Sequence, residues 1–231
     1  MRLRITSNIT EAYKAHGFCV LVNKAIAIAL QHYNTYGNRD IAIEDWQINE
    51  LFDVHYKGDH DYTVDLVTFE GLEVNFGEYA FHEADSKDLQ IKQEVLARLM
   101  TPKVIPHITG CELGVHARGT DKATEVKRVD ANELMSRLLS YKDKSIFLAT
   151  DDSYFSVPLM QAFPHIVRNN HTISTNGKPL HADYSNRSKV NKEVLADVLS
   201  LTKCEHLFYC YSHVSYLALC MGNYKSITNI N

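Results

Sequence analysis

At 231 residues the chain suits one large α/β domain or two compact ones. Its 45% apolar and 23% charged residues are an ordinary globular composition that can bury a core. A net charge of −4 with no like-charged block argues against a dedicated binder of nucleic acid or membrane surface, so any anion site must be built by a few placed residues. In chain order, residues 1–8 alternate charged and apolar side chains, as a half-exposed strand does. From Val22 to Tyr33 the residues Val22, Ala25, Ile26, Ala29, Leu30 and Tyr33 recur at three- and four-residue steps. That predicts a helix opened at Gly17 and closed near Gly37. Ile41–Ile43 reads as a strand, followed by Glu44, Asp45 and the single tryptophan, Trp46. Strand, glycine turn, helix and strand make a βαβ unit.

Segments 62–68 and 72–76 have strand composition. Asp59, His60 and Asp61, with His55, match no standard zinc or calcium spacing and read as a solvated loop. Helical periodicity returns over 88–100 through Leu89, Ile91, Val95, Leu96 and Leu99, and Thr101-Pro102 ends it. Pro106 and Gly110 punctuate a connector, which places a first lobe at 1–108 and a second at 109–231. The second lobe alternates more cleanly: strand 111–116; helix 130–141 with Leu134, Leu138 and Leu139 inward; and the apolar run 145–150, read as a central strand buried on both faces. A helix over 156–163, a strand over 165–168 and a polar loop over 169–189 follow. Helix 192–202, strand 206–211 and helix 213–221 complete a β/α repeat, hence a doubly wound sheet.

The five cysteines are scattered, odd in number and never in a C-x-x-C pair, so they read as buried reduced thiols. No charged-then-apolar leader and no apolar run near ~18 residues is present, so the expectation is a cytoplasmic chain without a membrane segment.

Chemistry gathers where strands of the second lobe end. After the first, Arg118 offers a planar fork of donors suited to pyrophosphate, with His116 two residues earlier; an extended chain puts both on one side. Arg118 with Asp121 is equally an ordinary solvated ion pair. Asp151 and Asp152 close the apolar strand, either as ligands or with Asp151 capping a helix. Ser212 precedes the last helix, as an N-cap or as an anion ligand. Asp197 lies on the apolar side of its helix beside Val194, Val198 and Leu201. There a carboxylate needs a partner, structural or a ligand such as guanine.

Together these segments resemble the donor-binding half of the fucosyltransferase superfamily, which includes the nodulation, α1,6- and, more remotely, protein O-fucosyltransferases. Gly114–Lys122 (GVHARGTDK) is similar to the family's G-V-H-x-R-R-T-D-K motif. Phe147–Asp152 is similar to its strand ending in T-D-D. Val194–Leu201 with Tyr211-Ser212 resembles its third motif, L-x-D on a helix followed by a strand ending in serines. The resemblance covers 111–222 and is weak over 1–108.

It implies an α/β fold of GT-B type, two Rossmann-like lobes with a cleft between them, the first acceptor-side and the second donor-binding. It implies inverting transfer of L-fucose from GDP-fucose to a glycan hydroxyl, with no cofactor and no bound metal. Arg118 would hold the diphosphate, His116 its nucleotide side, and Ser212 the diphosphate again. Asp197 would read the guanine, and Asp121, Asp151 and Asp152 complete the donor set. Glu125 would be the base, its position or pKa set by Lys122. Two departures stand out: the nodulation and α1,6 branches carry a second arginine where this chain has Gly119, and Glu125 is one residue closer to Lys122 than its α1,6 counterpart. The first leaves open another GDP-sugar. Two other classes remain: a non-catalytic nucleotide-sugar binder, and a metal-dependent transferase built on Asp59-His60-Asp61.

Overall fold

Leu3 and Ile5 are fully buried while Arg4 and Thr6 are half-buried, and this alternation makes Leu3–Thr6 (β1) the middle strand of a parallel sheet. The computed structural model describes residues 1–37, 40–69, 86–119, 129–175, 177–180 and 184–231. They divide into two units, Met1–Val104 with Tyr184–Lys192, and Ile105–Asp183 with Glu193–Asn231.

In the first unit β1 pairs in parallel with β2 (Ile41–Glu44) and with the strand Tyr62–Asp65. A short helix, α1 (Glu11–Ala15), begins at Thr10, whose hydroxyl accepts from Tyr13 N at 3.1 Å. The long helix α2 (Phe18–Tyr36) starts after Gly17 and stops at Gly37, as its periodicity predicts. Gly37 sits at φ 65°, the left-handed cap that favours glycine, and its N–H donates to Tyr33 O. Val22, Ala25, Ile26 and Ala29 are buried, each large member contributing about 1.5–3 kcal/mol, whereas Leu30 and Tyr33 are only half-buried.

Three short elements here lie beyond the sequence reading: α1, α3 (Trp46–Leu51), and an antiparallel pair of β3 (Phe52–Val54) with Met100–Pro102. Strand Tyr62–Asp65 (β4) is shorter than the predicted 62–68. The Asp65 carboxylate accepts from Val67 N at 2.7 Å and Thr68 N at 3.1 Å, which turns the chain. The predicted strand 72–76 lies outside the described residues. Helix α4 (Ser86–Leu99) leads straight into β5 (Met100–Pro102); Leu96 and Leu99 are buried, but Ile91 is 47% exposed and points away from the core. Asp59, His60 and Asp61 are exposed loop residues, and Asp61 accepts from Arg2 N at 2.7 Å. Among the described residues no group of three His, Cys, Asp or Glu could hold a metal ion.

The second unit is built on a five-stranded parallel sheet. Its strands are β6 (Leu113–His116), β7 (Ile146–Ala149), β8 (Ile166–Val167), β9 (His206–Tyr209) and β10 (Ser226–Asn229), in the order β10-β9-β6-β7-β8. All four residues of β7 are buried, the mark of an inner strand covered on both faces. β10 escapes sequence reading because SITN is a polar four-residue edge strand with no alternation to show.

Helix α5 (Ala131–Leu138) is capped by Asp130, which accepts from Asn132 N and Glu133 N. Leu134 and Leu138 face the core, but Leu139 does not: it is 61% exposed, because the chain tightens into a 3₁₀ turn at Leu139–Tyr141 and rotates it outward. Helix α6 (Ser153–Ala162) begins three residues before its predicted start because Asp152 caps it. Helix α7 (Arg187–Leu201) starts five residues early. Its first turns belong to the first unit and are polar residues bonded within it: Arg187 donates to His16 O and Lys14 O, and Asn191 to Gln47 Oε1 at 2.8 Å. The segment 169–189 is therefore loop only in part. Strand β9 ends at Tyr209, two residues short of expectation, and α8 (His213–Met221) forms where predicted.

The core of this unit centres on Leu113, Val115, Leu148, Phe155, Leu159 and Phe208. All five cysteines are buried and none is in a disulfide; burial pushes the Cys204 thiol up to about 12, so it stays protonated and inert. No helix among the described residues is long and apolar enough to cross a membrane.

Candidate functional site

In the order β10-β9-β6-β7-β8 the chain moves from β6 outward through β7 to β8, then returns to the other flank of β6 with β9. That reversal is the switch point at which parallel α/β sheets bind ligands, beyond the carboxyl ends of the strands. His116 ends β6, aligned with Ala149 of β7 and Tyr209 of β9. The three predicted places therefore lie at the ends of three adjacent strands.

His116 is buried at this edge, with Nδ1 2.6 Å from Ser215 Oγ on α8 and 3.7 Å from Cys210 Sγ. The ladder runs on past it, since Ala117 N donates to Ala149 O at 3.1 Å. Arg118 comes next, its side chain 14% exposed and its Nε 3.9 Å from Asp151 Oδ2. Sequence reasoning left Asp151 as a ligand or a helix cap; the structure gives the cap to its neighbour. Asp152 is buried, and its Oδ1 accepts from Tyr154 N at 2.9 Å, while Asp151 is the acid that faces Arg118. Ser212 is fully buried and caps α8, accepting from Val214 N at 3.1 Å and Ser215 N at 3.3 Å. Burial pushes the Tyr209 phenol up to about 12, so it stays neutral beside these groups.

Asp197 has found the partners its position requires. Its Oδ1 accepts from Asn169 Nδ2 at 2.6 Å and lies 3.1 Å from His171 Nδ1. Both partners sit in the loop beyond β8, which is tied to α7 where Thr172 N donates to Glu193 Oε2 at 3.1 Å. Sequence reasoning missed Asn169, His171 and Ser215. The first two carried a signal, since Asn169-Asn170-His171 directly follows a strand end; Ser215 carried none, being a serine inside an apolar helix.

No protein-family model and no curated protein matches the sequence. Solved structures do match: a NodZ α1,6-fucosyltransferase soaked with GDP-fucose superposes with a TM-score of 0.53 at 14% identity, over 96% of this chain and 92% of that one. A NodZ α1,6-fucosyltransferase co-crystallized with GDP gives a TM-score of 0.51 at 12% identity, over 94% and 91%. The fold is similar to that of NodZ. The resemblance seen in the motifs of the second lobe thus extends, at the level of fold, over most of the chain.

Beside NodZ and its relatives, Gly119 is the position to examine. A Cβ built there would overlap Asp152 Oδ2 and stand 2.9 Å from Phe155 Cε2, so the capped start of α6 fills the place where the resembling sequences carry a second arginine. Glycine allows this close approach of strand end to helix. Gly119→Ala is expected to cost about 1–3 kcal/mol through overpacking against a buried cap. Urea unfolding measures it, and an unchanged midpoint would mean that α6 yields freely. Asp121, Lys122 and Glu125 lie outside the described residues.

Proposed function

We propose that this chain is a glycosyltransferase of GT-B type that takes a sugar from a GDP-sugar, L-fucose from GDP-fucose, and passes it to a glycan hydroxyl with inversion and without a bound metal. The observation that carries this reading is the meeting of His116 and Arg118, Asp151, and Ser212 at the carboxyl ends of three neighbouring parallel strands, where the strand order reverses. The NodZ fold supports it, having been solved with GDP-fucose and with GDP.

The unit Ile105–Asp183 with Glu193–Asn231 serves as the donor lobe, and Met1–Val104 with Tyr184–Lys192 as the acceptor side; the expected boundary at 108 thus shifts slightly, and the start of α7 goes to the first unit. The Arg118 fork holds the diphosphate, with His116 on its nucleotide side. Ser212 Oγ accepts from two amides of α8 and still keeps its own proton to donate to a phosphate oxygen. Asp152 fixes the start of α6, and Asp151, with Asp121, completes the donor set. Asp197 accepts from the guanine edge. Glu125 removes the acceptor proton, with Lys122 setting its position, and Arg118 offsets the charge that develops on the leaving diphosphate.

The test is a panel of GDP-, UDP- and CMP-sugars with nucleotide release as the readout, in the presence and absence of EDTA. Release of GDP from GDP-fucose, unchanged by EDTA, is the expected result. Binding without release would point to a non-catalytic nucleotide-sugar binder. Failure to bind any GDP-sugar would sink the proposal.

A further inference from the structure

His116 meets a hydroxyl whose one hydrogen-bond partner, among the described residues, is that ring. Ser215, the third residue of α8, is fully buried, and its Oγ lies 2.6 Å from His116 Nδ1. Other hydroxyls inside helices of this chain return their proton to the carbonyl four residues back: Thr35 to Gln31 O at 2.8 Å, Ser136 to Asn132 O at 2.9 Å and Ser200 to Ala196 O at 2.8 Å. Ser215 does not. The residue four before it, Tyr211, precedes the Ser212 cap, where the helix has not yet begun. Cys210 Sγ also approaches Nδ1, at 3.7 Å, and a thiol is a weak donor as well.

The serine decides which ring nitrogen carries hydrogen. If Nδ1 kept it, Ser215 Oγ would have to accept, and its own proton would be buried with no acceptor among the described residues; such a donor is costly. If Nδ1 presents its lone pair, the serine proton is used and the hydrogen sits on Nε2. Nδ1 is engaged either way, so contact with a ligand runs through Nε2. Because the ladder continues through Ala117, His116 and Arg118 leave the strand on one face. A diphosphate calls for N–H donors there, and an imidazole lone pair would repel its oxygens.

Resting on the GDP-sugar reading above, we infer that Ser215 is a positioning residue: its hydroxyl holds His116 as the Nε2–H tautomer, so that the ring donates to the nucleotide diphosphate beside the Arg118 fork. Long-range proton–nitrogen spectra of the histidine-labelled chain test this, the His116 signal being the one lost in His116→Gln. Wild type should carry the hydrogen on Nε2; a hydrogen on Nδ1 overturns the inference with Ser215 untouched. In Ser215→Ala that preference should disappear, and GDP affinity measured by calorimetry should fall about fivefold. Ser215→Thr keeps the hydroxyl and should restore both. In a His116→Ala background, Ser215→Ala should cause no further loss of affinity, whereas a general packing role weakens binding equally in either background. A loss that persists without His116, or wild-type affinity in folded Ser215→Ala, overturns the inference while leaving GDP binding intact. A wild-type chain that does not bind GDP overturns the GDP-sugar reading, and this inference with it.

Discussion

Asp45→Ala should destabilise the first unit by about 3 kcal/mol or more. The residue is 1% exposed at the end of β2. Its carboxylate accepts from Tyr13 OH at 2.8 Å and from Ile48 N at 2.8 Å, and also from Ser7 Oγ. Truncation leaves three donors without this acceptor, one of them the Ile48 amide through which Asp45 caps α3, each costing about 1–3 kcal/mol where water cannot reach it. Relief from holding a carboxylate in a dry place offsets part of this loss. Asp45→Asn keeps an acceptor for the cap and should recover a portion. Urea unfolding followed by circular dichroism measures both variants, and a loss below about 1 kcal/mol for alanine would show that the three donors find other partners. The same cluster sets a pH dependence. Burial first, and the charge of Asp45 second, push the Tyr13 phenol above its usual 10.0. The folded chain thus holds that proton more tightly than the unfolded one, and this contribution is lost as pH rises beyond about 10.

How far this arrangement was legible depends on whether the information is local. Helix α2 announces itself because one face repeats over nineteen residues and glycines mark both ends. Strand β7 does so because burial on both faces demands an unbroken apolar run. Elements of three to six residues, such as β3, β5 and α3, leave no period to count. Asp45 illustrates the ambiguity: an acid after a strand suits a ligand or a cap alike, and here it is held by the α3 amide, a serine and a tyrosine. Asp151 and Asp152 pose the reverse problem. Either could cap α6, and only the path of the chain gives the cap to Asp152 and sets Asp151 toward Arg118. Partners distant in sequence are the hardest of all, since Ser215 meets His116 across 99 residues. The strand-end rule nevertheless singled out His116, Arg118 and Ser212 without them, because it follows from how a parallel sheet is wound, whereas Asp197 was singled out by its place on an apolar helix face.

Arg118→Ala is expected to weaken GDP and GDP-sugar binding by about 100-fold or more. Two parallel charge-assisted hydrogen bonds to a diphosphate contribute about 1.5–3 kcal/mol each, and alanine removes both. The competing account makes Arg118 simply the partner of Asp151. At 3.9 Å that pair is long for a hydrogen bond, but with side chains only 14% and 23% exposed, removing the arginine takes a nearby cation from a largely buried carboxylate and costs stability. The two accounts separate cleanly. A structural ion pair alone predicts that alanine lowers the unfolding midpoint and leaves nucleotide affinity alone; a diphosphate site predicts a loss of affinity in the folded variant whatever the midpoint does. Arg118→Lys refines the comparison, because an ammonium keeps the charge and loses the fork, so affinity should fall between wild type and alanine. Calorimetric titration with GDP beside thermal unfolding of all three proteins gives both readouts. Wild-type affinity in a folded Arg118→Ala protein would remove the anion from this strand end, and with it the main physical reason for reading the sheet edge as a nucleotide-sugar site.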